Sequence, residues 1–402
     1  AHVDHGKTTL VDHLIASNKI ISENMAGKFR YMDSREDEQI HGITMKSSSI
    51  MLNFDYDSKN YIINVIDSPG HVDFSSEVSC AVRICDGTIV LIDAVEGVCP
   101  QTEVVLRQSW IEGIIPCLAI NKIDRLLHEI KMSPTDAYFH ISKIIEEANS
   151  IMACLYKETQ AEYIEYNEDK VYFSPVKGNV IFCSAYIGWG FRIENFARYF
   201  KEKLKITDDK FEESFWGDFY YDFKQKKVFQ NANSRKKKQI FVQFVLENIW
   251  SVYEAFLGPD ASDESQTKIV SKIDENLLSR IAKISNPLEK YSFFMKKWLP
   301  LVDSLMRMVV EKLPSPLNLS NRRVVNLLSS SLIKYKDLPD SSKELKYDFF
   351  KCCCSPKSPV IIFVSKMIYY EARDVHRACK ITKNEKKCNF IAFSRIFSGT
   401  IK

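Results

Sequence analysis

Apolar positions along the chain change period several times. Residues 9–17 carry them at helical spacing, and residues 18–47 are polar, glycine-punctuated and read as a loop with short helical pieces. Two apolar runs, 48–54 and 61–67, are split by Asp-Tyr-Asp-Ser-Lys-Asn and predict a hairpin. Short buried strands follow at 87–93, 114–120 and 179–185, with helix-like segments between them, the clearest at 134–157. Apolar strands alternating with helices predict an α/β fold with a mostly parallel sheet covered on both faces. Residues 205–300 alternate polar loops with amphipathic segments and read as an inserted subdomain, and 301–313 form a last helix stopped by Leu313-Pro314-Ser315-Pro316. Residues 331–358 are a Ser/Lys/Pro-rich connection, and 359–366 and 389–402 read as the start of a β-barrel domain. The division expected is 1–204 for a nucleotide-binding domain, 205–300 for the inserted subdomain, 301–330 for the end of the first domain, 331–358 for a linker and 359–402 for the barrel start.

Composition changes this picture little. The 402 residues carry a net charge of +3, so nucleic-acid contact would need local patches such as Arg235-Lys236-Lys237-Lys238 or Arg322-Arg323, for which a solvated surface run is the commoner reading. No apolar run is long enough to span a bilayer, which argues against a membrane partner. Eleven cysteines, with Cys352, Cys353 and Cys354 consecutive, do not follow zinc-knuckle spacing and read as reduced thiols of a cytosolic or nuclear protein. A metal site joining that triplet to His376, Cys379 and Cys388 is the weaker alternative.

The chemistry sits at strand ends. Ala1-His2-Val3-Asp4-His5-Gly6-Lys7-Thr8-Thr9 opens the first helix with backbone N–H groups able to wrap a polyphosphate, Lys7 able to reach the β- and γ-phosphates, and a Thr8 hydroxyl for Mg2+. Asp67-Ser68-Pro69-Gly70-His71 follows an apolar strand, which places the Asp67 carboxylate to hold Mg2+ and lets the Gly70 N–H approach a γ-phosphate. In the long polar loop, Thr44 of Gly42-Ile43-Thr44 can do the same with hydroxyl and N–H. Asn121-Lys122-Ile123-Asp124 follows another strand. Asp124 can accept from guanine N1–H and its 2-amino group, Asn121 can brace the phosphate loop, and the Lys122 stem can lie along the base. Ser184-Ala185 would bring a backbone N–H to guanine O6. Singly each motif could be a turn; in this order they read as a GTP/GDP site with Mg2+.

In these motifs the chain resembles the translational GTPases. Phe215-Trp216-Gly217-Asp218 resembles the elongation factor two branch, and Arg30–Gln39, Gly42–Ser48, Val95–Thr102 and Leu246–Trp250 resemble its ribosome-maturation members. The resemblance implies a P-loop GTPase domain and catalysis by His71, which orients water behind an apolar gate of Val3 and Ile43. It also implies a possible monovalent cation at Asp4. It further implies cytoplasmic work on the 60S ribosomal subunit, with ribosomal RNA contact, alongside a Shwachman–Bodian–Diamond syndrome family protein, releasing the anti-association initiation factor six. A translocase of the elongation factor two type and a non-hydrolysing GTP-binding scaffold are the alternatives. His41 departs from the basic residue usual there. Because Ala1 already stands inside the phosphate loop, the strand feeding it is expected to precede the chain, and these residues alone are expected to fold or bind nucleotide poorly.

Overall fold

The computed structural model describes residues 1–159, 171–206, 211–230, 238–329, 333–369 and 390–401. Residues 235–237 of the basic run, and His376, Cys379 and Cys388 of the alternative metal reading, lie outside them. In chain order the elements are α1 (Lys7–Ser17), α2 (Glu36–His41), β1 (Ser48–Tyr56), β2 (Lys59–Asp67), α3 (Ser75–Ile84), β3 (Gly87–Asp93), α4 (Pro100–Ile111), β4 (Ile115–Asn121), α5 (Ile123–His128) and α6 (Pro134–Thr159). There follow β5 (Val180–Ser184), β6 (Trp189–Phe191), α7 (Ile193–Leu204), β7 (Phe219–Asp222), β8 (Lys227–Gln230), α8 (Glu247–Leu257), α9 (Asp263–Ile273), α10 (Leu278–Ile281), α11 (Pro287–Trp298), α12 (Leu301–Lys312), α13 (Asn321–Leu328), α14 (Asp340–Lys351), β9 (Ile361–Tyr369) and β10 (Phe390–Ser398). The α/β class read from the sequence holds. No helix among the described residues is long and apolar enough to cross a membrane.

The chain divides into two compact units. The first comprises Ala1–Val72, Ile89–Arg107 and Cys117–Lys312. It holds the four-stranded sheet of order β3-β4-β5-β6, in which β4 and β5 run parallel and the three-residue β6 closes antiparallel on β5. Residues 117–120 and 180–183 are fully buried in succession, as strands covered on both faces require. The β1–β2 hairpin turns at Asp57 and Ser58, both at positive φ, which matches the twist of a two-residue hairpin. Its burial alternates along β1, leaving Met51 and Ile62 exposed. Helix α1 buries Leu10, Val11, Leu14 and Ile15 on one face. A π-helical turn, Phe241–Leu246, leads into α8 and buries Phe241 and Phe244. Phe241 meets Trp216 edge-on at 4.9 Å and Phe182 of β5 at 5.4 Å, so the aromatic side chains near Trp216 are tied to the sheet's own strand.

The second unit comprises Asp73–Thr88, Gln108–Pro116 and Leu313–Lys402. Its β9–β10 pair is antiparallel, with register shifts after Phe393 and Ile396. Val324, Phe349 and Phe397 form its buried centre. The stretch read as a Ser/Lys/Pro-rich connection, 331–358, contains α14, whose Phe349 joins Val324 of the preceding α13 in that centre.

The arginine pair weighed as an RNA contact turns out to be structural. Arg323 is 3% exposed and donates to the carbonyls of Val82, Arg83, Cys85 and Glu112 and to the Glu112 carboxylate at 3.3 Å. Arg322 lies over Trp110 at 4.7 Å and donates to its carbonyl at 2.7 Å. A guanidinium so committed is withdrawn from phosphate contact, and losing it would leave buried acceptors and a carboxylate without a donor.

Candidate functional site

The phosphate loop enters α1 through two residues in the left-handed region, Asp4 (φ 58) and Gly6 (φ 90). Gly6 has a positional reason. A Cβ there would lie 2.4 Å from Asn121 Nδ2, the same atom that donates to the His5 carbonyl at 2.8 Å. Asn121 ends β4, and its Oδ1 accepts from the Ala185 N–H at 2.8 Å at the end of β5. One carboxamide therefore ties the loop, β4 and β5 together. The expected bracing role of Asn121 has its geometry, while Ala185 N–H is engaged by Asn121. Ser184 is fully buried, and its hydroxyl accepts from the Ile187 N–H at 3.3 Å.

Lys7 donates to the His2 carbonyl at 2.7 Å. Burial lowers its ammonium below the ordinary lysine range, with the Asp67 and Asp4 charges acting the other way. Gly70 faces this pair, since a Cβ on it would lie 2.2 Å from Lys7 Nζ and 2.9 Å from the His2 carbonyl oxygen. A cavity between these segments is lined by Val3, Asp4, Gly6, Lys7, Thr8, Thr9, Ile43, Thr44 and Gly70. His2, His5 and the buried Ala1 are not among its lining residues, nor is half-buried His71.

Thr8, Thr44 and Asp67 converge. Thr8 Oγ1 donates to Asp67 Oδ2 at 2.9 Å and lies 3.0 Å from Thr44 Oγ1, which donates to Asp33 Oδ1 at 2.8 Å. The two hydroxyl protons are spent on Asp67 and Asp33, which leaves none for the contact between the hydroxyls. Oxygens on adjacent corners of a magnesium octahedron stand about 2.9–3.0 Å apart, given bonds of about 2.0–2.1 Å. The oxygen set thus fits Mg2+ in donor type, spacing and missing proton. Burial pushes the Asp67 carboxyl up to about 6, against the hydrogen bond from Thr8 and the charge of Lys7, so the protein prepares a carboxylate that needs a cation.

Asp124 opens α5 and is buried, and its Oδ1 has no hydrogen-bond partner. Burial raises its carboxyl above the usual range, with Ser184 partly offsetting. An orphaned buried carboxylate oxygen fits a ligand that presents N–H donors, as guanine does. Lys122 adopts φ 63 and places Nζ 2.8 Å from Asp93 Oδ2, which also meets Arg125 at 2.9 Å. Burial would raise Asp93, but these cations hold it below the usual carboxylate range.

Three acids escaped the sequence reading. Asp33 holds Thr44 and pairs with Arg30 at 2.7 Å. Glu38 accepts from the Met45 and Lys46 N–H groups at 2.9 Å each, and so fixes the chain around Thr44. Asp12 accepts from the Arg30 and Tyr31 N–H groups at 2.8 and 2.9 Å. Acidic residues in a helix and a polar loop carry no mark of burial in the sequence.

Next to Ala185, His13 is held down to about 4, first by burial and then by the Lys296 charge, with the Ala185 backbone acting weakly the other way. Its folded value lies below the ordinary 6.5, so the unfolded chain takes the proton first. The contribution is complete above about pH 6.5 and is lost as pH falls toward 4, about 3 kcal/mol in all. In His13→Gln, the fall in urea midpoint between pH 7 and pH 4.5 is expected to shrink correspondingly. An unchanged slope would assign the acid sensitivity to other groups.

The family model of the elongation factor Tu GTP binding domain matches residues 1–315. Elongation factor-like GTPase 1 of Mus musculus is 46% identical over 400 residues, covering 93% of this chain and 35% of that protein. Ribosome assembly protein 1 of Schizosaccharomyces pombe is 42% identical over 403 residues, covering 96% and 40%, and that of Saccharomyces cerevisiae 41% over 396, covering 92% and 35%. The chain spans well under half the length of these relatives. With the match running unbroken from the phosphate loop through Asp124 to the end of α12, the chain belongs to the family of the elongation factor Tu GTP-binding domain.

Proposed function

We propose that this chain is the GTP-binding, GTP-hydrolysing part of a ribosome-assembly GTPase acting on the large subunit. The observation that carries it is that Thr44 and Asp67, from two other segments, each bring an oxygen to within 3.0 Å of the Thr8 hydroxyl. Only a ligand reaching all three, a nucleotide phosphate with its cation, gives that convergence a purpose. Mg2+ when bound would neutralise charge between the phosphates. Thr8, Thr44 and Asp67 hold it, Lys7 faces the β- and γ-phosphates, and Asp124 reads the base. Loss of the γ-phosphate releases Thr44 to Asp33 and frees the Gly70 segment. His71 orients the attacking water, and Val3 and Ile43, both half-buried beside the cavity, keep it out until the ribosome docks. A monovalent cation at Asp4, which lines the cavity, rests on the resemblance. The relatives' names support ribosome assembly. The finer assignment rests on resemblance: cytoplasmic action on 60S subunits with a Shwachman–Bodian–Diamond syndrome family protein, releasing the anti-association initiation factor six. The division at residues 204, 300, 330 and 358 rests on the pattern of apolar, polar and Ser/Lys/Pro-rich stretches along the chain.

The test is GTP turnover by the full-length protein with and without purified large subunits, for wild type and His71→Ala. Stimulation should fall by roughly 10²-fold or more in the variant while GTP affinity is kept. Absence of stimulation in the wild type would favour a non-hydrolysing scaffold, and stimulation surviving in the variant would remove His71 from its role.

A further inference from the structure

His5 is a phosphate-loop residue whose side chain turns away from the nucleotide cavity. It is fully buried, and its Nε2 lies 3.2 Å from Glu96 Oε2 and 3.7 Å from Cys99 Sγ, with the three donor atoms all within 4.8 Å of one another. Glu96 and Cys99 come from the turn after β3, some ninety residues away in sequence.

The spacing is that of ligands round one ion. A tetrahedral zinc bound to nitrogen at about 2.0–2.1 Å, carboxylate oxygen at about 2.0–2.2 Å and sulfur at about 2.3 Å separates N from O by about 3.4 Å and N from S by about 3.6 Å. The observed distances fall within about 0.2 Å of these values. Imidazole with thiolate selects a borderline cation over magnesium. The Glu96 side chain is 44% exposed, so solvent can supply a fourth ligand. On the far side of the ring, His5 Nδ1 lies 3.2 Å from the Leu91 carbonyl oxygen. Donation there leaves a lone pair on Nε2 facing the Glu96 carboxylate, an acceptor, and the Cys99 sulfur, which as a thiol can donate to it and as a thiolate can share a cation with it; such a fixed ring is how a metal-binding imidazole is oriented. The Asp93 N–H also reaches Nδ1 at 3.2 Å, and that tautomer would instead put a proton on Nε2 for Glu96 and need no ion. The Cys99 thiol is pushed up by burial and by the Glu96 and Asp93 charges, a cost that a bound cation reverses.

We propose that His5, Glu96 and Cys99 form a three-ligand site for a zinc-type divalent cation, with water completing the tetrahedron. On binding, the Cys99 S–H bond breaks, sulfur bonds the metal and one proton leaves to solvent; His5 and Glu96 release none. The ion clamps the phosphate loop to the Glu96–Cys99 turn. Because the His5 carbonyl accepts from Asn121, the clamp acts on the loop at the point where β4 and β5 already hold it.

Cobalt(II) serves as the spectroscopic probe. The reduced full chain, saturated with Mg2+, is titrated with Co2+ and read by thiolate-to-cobalt charge-transfer absorption and by the strong visible bands of tetrahedral cobalt. One ion per chain is expected, displaced by Zn2+. Cys99→Ser should lose the charge-transfer band with its circular dichroism unchanged, Glu96→Gln should bind roughly tenfold or more weakly, and Cys354→Ser should behave as wild type. On wild type, Zn2+ should protect Cys99 from alkylation, read by peptide mass spectrometry, so the conclusion does not depend on how a variant folds. No thiolate band in the folded wild type, a band that survives Cys99→Ser, or unprotected Cys99 would each overturn the site and leave His5 and Glu96 as a plain hydrogen-bonded pair.

Discussion

Asp124→Asn is expected to lower GTP affinity by roughly 10³-fold or more and to make xanthosine triphosphate the preferred ligand. The carboxylate is buried with Oδ1 unpartnered. Guanine offers two adjacent donors, N1–H and the 2-amino group, and a carboxylate accepts both. A carboxamide offers one acceptor and one donor. Its N–H₂ would face the 2-amino group, two donors with no acceptor between them in a site that excludes water. Xanthine carries a carbonyl at that position, so it pairs with the carboxamide as guanine pairs with the carboxylate. Burial currently holds the Asp124 carboxyl above its usual range, and donors from the base would relieve that cost. The measurement is equilibrium binding of fluorescent GTP and xanthosine triphosphate to wild type and variant. GTP affinity within tenfold of wild type would show that the base is read elsewhere.

How far such a site can be read from sequence depends on whether residue type alone carries the chemistry. Asn121, Lys7, Thr8, Asp67 and Asp124 are side chains whose neighbours in sequence are strand ends and a helix start. Period and motif therefore fix both their chemistry and their place, and the structure brings Thr8, Thr44 and Asp67 to one point. Asp33 and Glu38 are different. They lie in a stretch with Arg35, Glu36 and Asp37 that looks like a solvated charged run, and only the folded loop makes them the acceptors that hold Thr44 and the Met45 and Lys46 amides. Arg323 misleads for the converse reason, because a basic pair in a polar segment gives no hint that four carbonyls close round it. Short elements were also beyond reach. The three-residue β6 has no period to detect, and α14 carries its single buried anchor, Phe349, in a segment otherwise rich in serine and lysine. The His5–Glu96–Cys99 cluster is set by tertiary contact alone, so a cysteine pattern that reads as reduced thiols carries no sign of it.

Gly70→Ala is the substitution that most directly separates triphosphate from diphosphate binding. A Cβ at Gly70 would lie 2.2 Å from Lys7 Nζ, 2.9 Å from the His2 carbonyl oxygen and 3.0 Å from its carbon. The lysine end can swing aside, but it would then leave the position from which it meets the β- and γ-phosphates. The His2 carbonyl belongs to the phosphate loop, which Asn121 holds three residues on through the His5 carbonyl at 2.8 Å, so the loop resists retreat. The alanine methyl must therefore push the Gly70 segment outward. That removes the N–H proposed for the γ-phosphate and leaves most diphosphate contacts in place. GTP affinity is expected to fall roughly 10²- to 10³-fold, equivalent to about 3–4 kcal/mol, while GDP affinity falls by less than tenfold. Stopped-flow binding of the two fluorescent nucleotides, with circular dichroism to confirm the fold, reads the difference. Equal losses for GTP and GDP would place the damage in Lys7 and the loop alone, and no loss for either would mean that Gly70 stands away from the phosphates when nucleotide is bound.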